Sequence, residues 1–219
     1  MDISTKLVSI LKELEPTGTT LVAVSKTRTP DEILEAYNAS QRIFGENKVQ
    51  EMLSKYEVLP KDICWHQIGH LQTNKVKFIA PFVSIIHSVD SFKLLNEINR
   101  GAIKNNRIID CLLQIHIAKE ETKFGFSFEE AIGVLASPEY KSLKNIKLVG
   151  LMGMATLTED ISIIKKEFHS LKQFYDSLRK EFDFSILSMG MSSDYRIAID
   201  EGSNMVRIGS SIFGERHYI

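Results

Sequence analysis

The chain has 219 residues, 43% of them hydrophobic and 25% charged, with a formal net charge of -1 at neutral pH. That length and apolar content suit a sizeable core, either one α/β barrel or about one and a half average domains. A near-neutral charge removes the electrostatic case for a nucleic-acid or acidic-membrane partner, and no apolar run approaches the length of a membrane span.

The segment from Ile3 to Leu14 places Leu7, Ile10, Leu11 and Leu14 at helical spacing, which predicts an amphipathic opening helix broken by Pro16-Thr17-Gly18. Thr20 to Thr27 is a short apolar run rich in β-branched residues, a buried strand ending at Lys26. Thr29-Pro30-Asp31-Glu32 then combines an N-cap, a first-position proline and a capping glutamate. The helix it starts turns Ile33, Leu34 and Tyr37 to one side.

Arg42 to Gly45 reads as a second strand, and Glu46-Asn47 as the opening of a helix with Val49, Met52, Leu53 and Tyr56 inward. A third strand, Ile63 to Ile68, leads through Gly69-His70 to a short helix near Thr73 to Ile79. A fourth, Val83 to His87, precedes a helix from Phe92 to Ala102 for which Asp90 is a suitable N-cap. The fifth strand spans Ile108 to Ile117. A polar loop, Lys119 to Phe126, follows it, and Ser127 with Glu130 forms a second capping box.

Ile146 to Met152 is the sixth strand. After it, Ile164, Phe168, Leu171, Tyr175, Leu178 and Phe182 repeat at helical spacing. The seventh strand, Phe184 to Ser188, enters Met189-Gly190-Met191-Ser192-Ser193-Asp194. A short helix with Ile197 and Ala198 ends near Gly202, and the eighth strand, Met205 to Ile208, runs into Gly209-Ser210-Ser211.

Eight strands alternating with helices, with no linker or low-complexity segment, predict parallel pairing. A Gly-x-Gly-x-x-Gly turn, the usual mark of an open doubly wound sheet, is missing after the first strand. The expected fold is therefore α/β, a single (β/α)8 TIM-type barrel covering residues 1–219, with an extra N-terminal helix. Cys64 and Cys111 lie far apart inside apolar runs, without metal-ligand spacing, and read as buried hydrophobes of a reducing compartment. With no secretory pattern between Met1 and Lys6, a cytoplasmic location is expected.

Closure of the barrel would bring Lys26, Gly190 to Ser192 and Gly209 to Ser211 around one mouth, the edge where barrels do chemistry. Lys26 is either a surface lysine at a strand exit or the reactive amine of that mouth. The glycine-serine turns after strands seven and eight are either plain capped turns or a phosphate site. Arg207, inside an apolar run, needs an acceptor: a carboxylate within the barrel, or a ligand. An amine able to form an imine beside a phosphate site fits a phosphorylated aldehyde. Both an aldolase-type lysine and pyridoxal phosphate held as a Schiff base satisfy that chemistry.

Five stretches resemble the pyridoxal phosphate homeostasis protein family: Ala23 to Thr27, Phe44 to Asn47, Trp65 to Lys75, Leu187 to Asp194 and Met205 to Gly214. They run from the first strand to the last in family order. The resemblance implies the N-terminal barrel of alanine racemase, a fold type III pyridoxal phosphate protein. By position, Lys26 would carry the cofactor as a covalent Schiff base. Ser192, Gly209 and Ser210 would hold its phosphate, Arg207 would face the pyridine nitrogen, Asn47 would lie beside it, and Met154 would pack against the ring.

The family is regarded as a carrier and regulator in vitamin B6 homeostasis and amino-acid and keto-acid balance. No catalytic residue or metal ligand is therefore expected, and the partners would be pyridoxal phosphate and the apoenzymes that use it. An arginine at the pyridine nitrogen disfavours protonation and makes a poorer electron sink. The alternative is a racemase or lyase of narrow specificity. The opposing tyrosine and added β domain of dimeric alanine racemases have no counterpart before Ile219, which favours a monomeric carrier. His66 and His70 read as polar parts of the mouth. Lys123, in a Lys-Phe-Gly stretch resembling a family motif, reads as a solvated loop lysine or as a participant in moving the cofactor, and Glu120-Glu121 as a hydrated charge pair.

Overall fold

The computed structural model describes residues 2–120 and 124–215. In chain order the elements are α1 (Ile3–Leu14), β1 (Thr20–Val24), α2 (Pro30–Asn38), β2 (Ile43–Glu46), α3 (Val49–Val58), β3 (Cys64–Gln67) and α4 (Val76–Ile79). Then come β4 (Ile85–Val89), α5 (Phe92–Lys104), β5 (Ile109–Ile115), α6 (Phe128–Ala136), α7 (Pro138–Ser142) and β6 (Ile146–Gly153). The chain continues through α8 (Ile161–Leu178), β7 (Ile186–Met191), α9 (Tyr195–Asp200), β8 (Met205–Ile208) and α10 (Ser210–Phe213). All eight strands pair in parallel and in sequence order, and β1 closes on β8 with Val22 opposite Arg207. The expected closed barrel with an added N-terminal helix is what the chain forms.

Strand faces alternate, and that sorts the side chains. Phe44 and Trp65, paired across β2 and β3, belong to the large core between strands and helices, with ring centroids 6.1 Å apart. Their neighbours Gly45 and His66 therefore point into the barrel. A Cβ at Gly45 would lie 2.9 Å from Ile68 and from Val22, so no larger residue fits there. Inside, Leu112, Val149 and Met152 form a small separate apolar cluster.

Both predicted capping boxes are present. Thr29 accepts from the Glu32 N–H while Glu32 accepts from the Thr29 N–H, and Ser127 and Glu130 do the same. Asp90 does not cap α5; Ser91 does, accepting from the Leu94 N–H. Asp90 lies one residue too early, and its carboxylate instead meets His70 Nδ1 at 2.8 Å. Glu46-Asn47 does not open α3 either. Glu46 is the last residue of β2, and α3 starts at Val49. The long helix ends at Leu178, four residues before Phe182, which still packs on the core from the following turn.

Candidate functional site

A cavity of about 590 Å³ opens at the carboxyl ends of the strands. All seven residues singled out from the sequence line it: Lys26, Asn47, Met154, Ser192, Arg207, Gly209 and Ser210. Three of the contributing turns are neighbours in space, because β7, β8 and β1 are adjacent in the closed barrel.

Lys26 is half-buried in the turn that follows β1, between the fully buried Ser25 and the exposed Thr27. Thr27 has φ +65°, a left-handed conformation uncommon for a β-branched residue and a sign of local constraint. After β7, Gly190 turns the chain at φ +97°, where a Cβ would come within 2.6 Å of the Ala198 Cβ. The helix after this turn begins at Tyr195, later than the sequence suggested, so Ser192 and Ser193 lie in the turn itself. Ser192 Oγ accepts from the Gly209 N–H at 3.1 Å and so joins the two turns. Gly209 is packed closely enough that a Cβ would meet the Val24 carbonyl at 3.2 Å. Ser210 opens α10; the Ile212 and Phe213 N–H groups donate to the Gly209 carbonyl at 2.9 Å, which leaves the Ser210 and Ser211 amides at the start of the helix, where backbone N–H groups suit an anion.

Arg207 is buried and reaches the cavity from β8. Its Nη1 donates to the Ser188 carbonyl at 2.9 Å and to Ser188 Oγ at 2.6 Å, and its Nη2 donates to the Gly153 carbonyl at 3.0 Å. These acceptors are neutral oxygens, and the carboxylate whose charge acts on Arg207 is Asp194. Burial lowers the guanidinium to about 10, partly offset by the charge of Asp194; it stays a cation at neutral pH.

Beneath Arg207 the barrel interior is polar. Ser188 Oγ lies 3.1 Å from His87 Nδ1, and His87 Nε2 lies 2.9 Å from His66 Nδ1. His66 is therefore a buried interior residue rather than part of the mouth, since its place on β3 opposite Gly45 turns it inward. His70 does line the cavity, stacked on Phe124 with ring centroids 3.9 Å apart. Lys123 and Glu121 lie outside the described residues.

Sequence reasoning missed a second cluster. Lys55 on α3 is buried, with its Nζ 2.8 Å from the Ser25 carbonyl, Glu46 Oε1 and Glu51 Oε1. The Glu51-Lys55 spacing of four on a helix was the only available signal, and such pairs are ordinarily solvated. The inward-facing histidine pair left even less trace, because β3 and β4 are distant in sequence until the barrel aligns them.

The alanine racemase N-terminal domain family matches residues 5–217. A pyridoxal phosphate homeostasis protein of Aquifex aeolicus is 43% identical over 202 residues, covering 90% of this chain and 87% of that protein. PipY of Synechococcus elongatus without pyridoxal phosphate superposes with a TM-score of 0.90 at 35% identity, over 97% of this chain and 100% of its own. The same protein with pyridoxal phosphate bound gives 0.87 at 34% identity, with the same coverage. With its closed barrel, its lysine after β1 and its serine-glycine turns after β7 and β8, the chain belongs to the pyridoxal phosphate homeostasis proteins, on the barrel of the alanine racemase N-terminal domain family.

Proposed function

We propose that this chain binds pyridoxal 5'-phosphate covalently, as a Schiff base on Lys26, and acts as a one-domain carrier and regulator in intracellular cofactor homeostasis. The observation that carries this reading is the convergence of Lys26, Arg207 and the Ser192 and Gly209-Ser210 turns on one cavity. The donor set fits the group. An amine stands where an aldehyde can be held, hydroxyls and helix-start amides suit a phosphate, and a guanidinium suits a ring nitrogen acting as acceptor. When bound, the cofactor supplies an electrophilic aldehyde that takes up the amine with loss of water.

The chain's own residues then hold rather than transform. Ser192, Gly209 and Ser210 would hold the phosphate, and Asn47 and Met154, which line the same cavity, would lie beside the ring. Arg207 would present a cation to the ring nitrogen, disfavouring its protonation and so weakening the ring as an electron sink. A carrier is the reading this favours, monomeric and cytoplasmic, passing its cofactor to apoenzymes.

The test is an absorption spectrum of the purified protein with added cofactor, before and after borohydride. A visible band that borohydride bleaches, and that Lys26→Ala abolishes, supports the reading; a wild type that gains no band refutes it. Incubation with a panel of L-amino acids separates the roles, because Lys26-dependent formation of D-isomer or keto acid would make the protein a racemase or lyase.

A further inference from the structure

Lysine is among the residues least often buried, and when buried it needs partners. Lys55 is only 4% exposed, and its three partners are arranged in a particular way. The Ser25 carbonyl belongs to the peptide entering Lys26, and it accepts from Lys55 Nζ at 2.8 Å. The Thr27 N–H belongs to the peptide leaving Lys26, and it donates to Glu51 Oε1. That same Glu51 oxygen is paired with Lys55 at 2.8 Å. One ion pair on α3 thus ties both peptide planes that flank the Lys26 Cα.

The remaining contacts tighten the same turn. Ser25 Oγ donates to Glu46 Oε1 at 2.6 Å, the Ser25 N–H donates to the Gly45 carbonyl at 3.0 Å, and the Arg28 N–H donates to the Ser25 carbonyl at 3.0 Å. Thr27, at φ +65°, holds a conformation that persists only where its surroundings over-determine it.

A plain structural ion pair accounts for this poorly. Two carboxylates share one ammonium, and Glu46 Oε2 is buried without a hydrogen-bond partner among the described residues. Burial lifts Glu46 to about 7 against the pull of Lys55. An apolar pair would pack α3 on β2 as well or better. It could not grip a carbonyl on one side of Lys26 and an N–H on the other.

We propose that Lys55, with Glu51 and Glu46, is a positioning residue that fixes the backbone of Lys26 and thereby aims its amine into the cavity. The proposal rests on the cofactor reading above and extends it to a residue outside the cavity. Its signature is selective: the clamp matters for a ligand that must react with the amine, and not for one held only by the phosphate turns and Arg207.

The experiment compares the affinity of pyridoxal 5'-phosphate with that of pyridoxine 5'-phosphate, which keeps ring and phosphate but carries an alcohol in place of the aldehyde. In Lys55→Met, affinity for the aldehyde is expected to fall about 10- to 100-fold, the scale of a misplaced reacting group, while affinity for the alcohol is unchanged. Glu51→Leu, at a partly exposed position, is the second variant in case Lys55→Met does not fold; it removes the Thr27 anchor and is expected to show the same selective loss. Equal loss of both ligands in a folded variant, or no change in either, overturns the proposal and leaves the cofactor reading intact. A wild type that takes up neither ligand overturns both.

Discussion

Acidification from pH 7 to pH 5 is expected to weaken the barrel through the histidines walled inside it, once an opposing group is removed. His66 and His87 are buried and face each other through ring nitrogens 2.9 Å apart. Burial drives His66 down to about 3. Burial, followed by the charges of His66 and Arg207, holds His87 well below the usual histidine value. In the unfolded chain both titrate near 6.5, so below that value the unfolded state binds protons that the native state refuses, and stability is lost as pH falls. For His66 at pH 5, about 1.5 pH units at about 1.4 kcal/mol each gives about 2 kcal/mol.

Glu46 works the other way. Burial raises it from 4.5 to about 7, so its contribution to stability is full below 4.5 and is lost as pH rises through 7. Across the same interval its gain on acidification is of similar size to the loss at His66 and masks it. In Glu46→Gln the masking is gone. Urea unfolding followed by Trp65, the sole tryptophan and a buried one, reads the difference. Between pH 7 and pH 5 the variant should lose about 2 kcal/mol more than the wild type, or about 4–8 °C in Tm for a chain of this size. Adding His66→Gln should remove about the same amount from that loss. A Glu46→Gln protein whose stability stays flat or rises on acidification would refute the reasoning.

Two further outcomes follow from single positions. Gly150→Ala should unfold the protein or cost more than about 4 kcal/mol by denaturant titration, because a Cβ there would sit 1.7 Å from the Ile186 carbonyl oxygen on the paired strand. Arg207→Gln should lower stability by about 2–4 kcal/mol in the same assay, since the Ser188 and Gly153 oxygens lose a charged donor inside the barrel. It should also weaken uptake of pyridoxal 5'-phosphate, read from its visible band.

The barrel was legible because each of its units carries a local signature. The β-branched run ending at Lys26, the box at Thr29 and Glu32, and the five apolar positions from Ile164 to Leu178 each call for one element, and parallel closure is what eight such units share. Boundaries failed where two neighbouring residues were equally suited, as with Asp90 and Ser91, or where a polar residue ended a strand, as Glu46 does. Lys26 and the Ser192 and Gly209-Ser210 turns were readable because each stands at a strand end or in a glycine-serine turn, whereas Asn47 and Met154 entered only through the resemblance. Lys55 and His87 were not, because a charged residue on a helix and a histidine in a strand take their meaning from what packs on them. That information resides in the register between strands and in the helix docked on β2, neither of which is local.

The interior chain beneath Arg207 has a direction that the chemistry of its members dictates. A guanidinium only donates, so Ser188 Oγ receives from Arg207 and turns its own hydrogen to His87 Nδ1. His87 then carries its proton on Nε2 and gives it to His66 Nδ1. Every link places a lone pair toward Arg207 and none places a full negative charge there. A carboxylate at Ser188 would hold the arginine as firmly, but would quench the charge that faces the cavity. A protonated His87 would repel the arginine across Ser188. The burial that keeps both histidines neutral is therefore also what keeps Arg207 in place with its charge available to a ligand at the mouth.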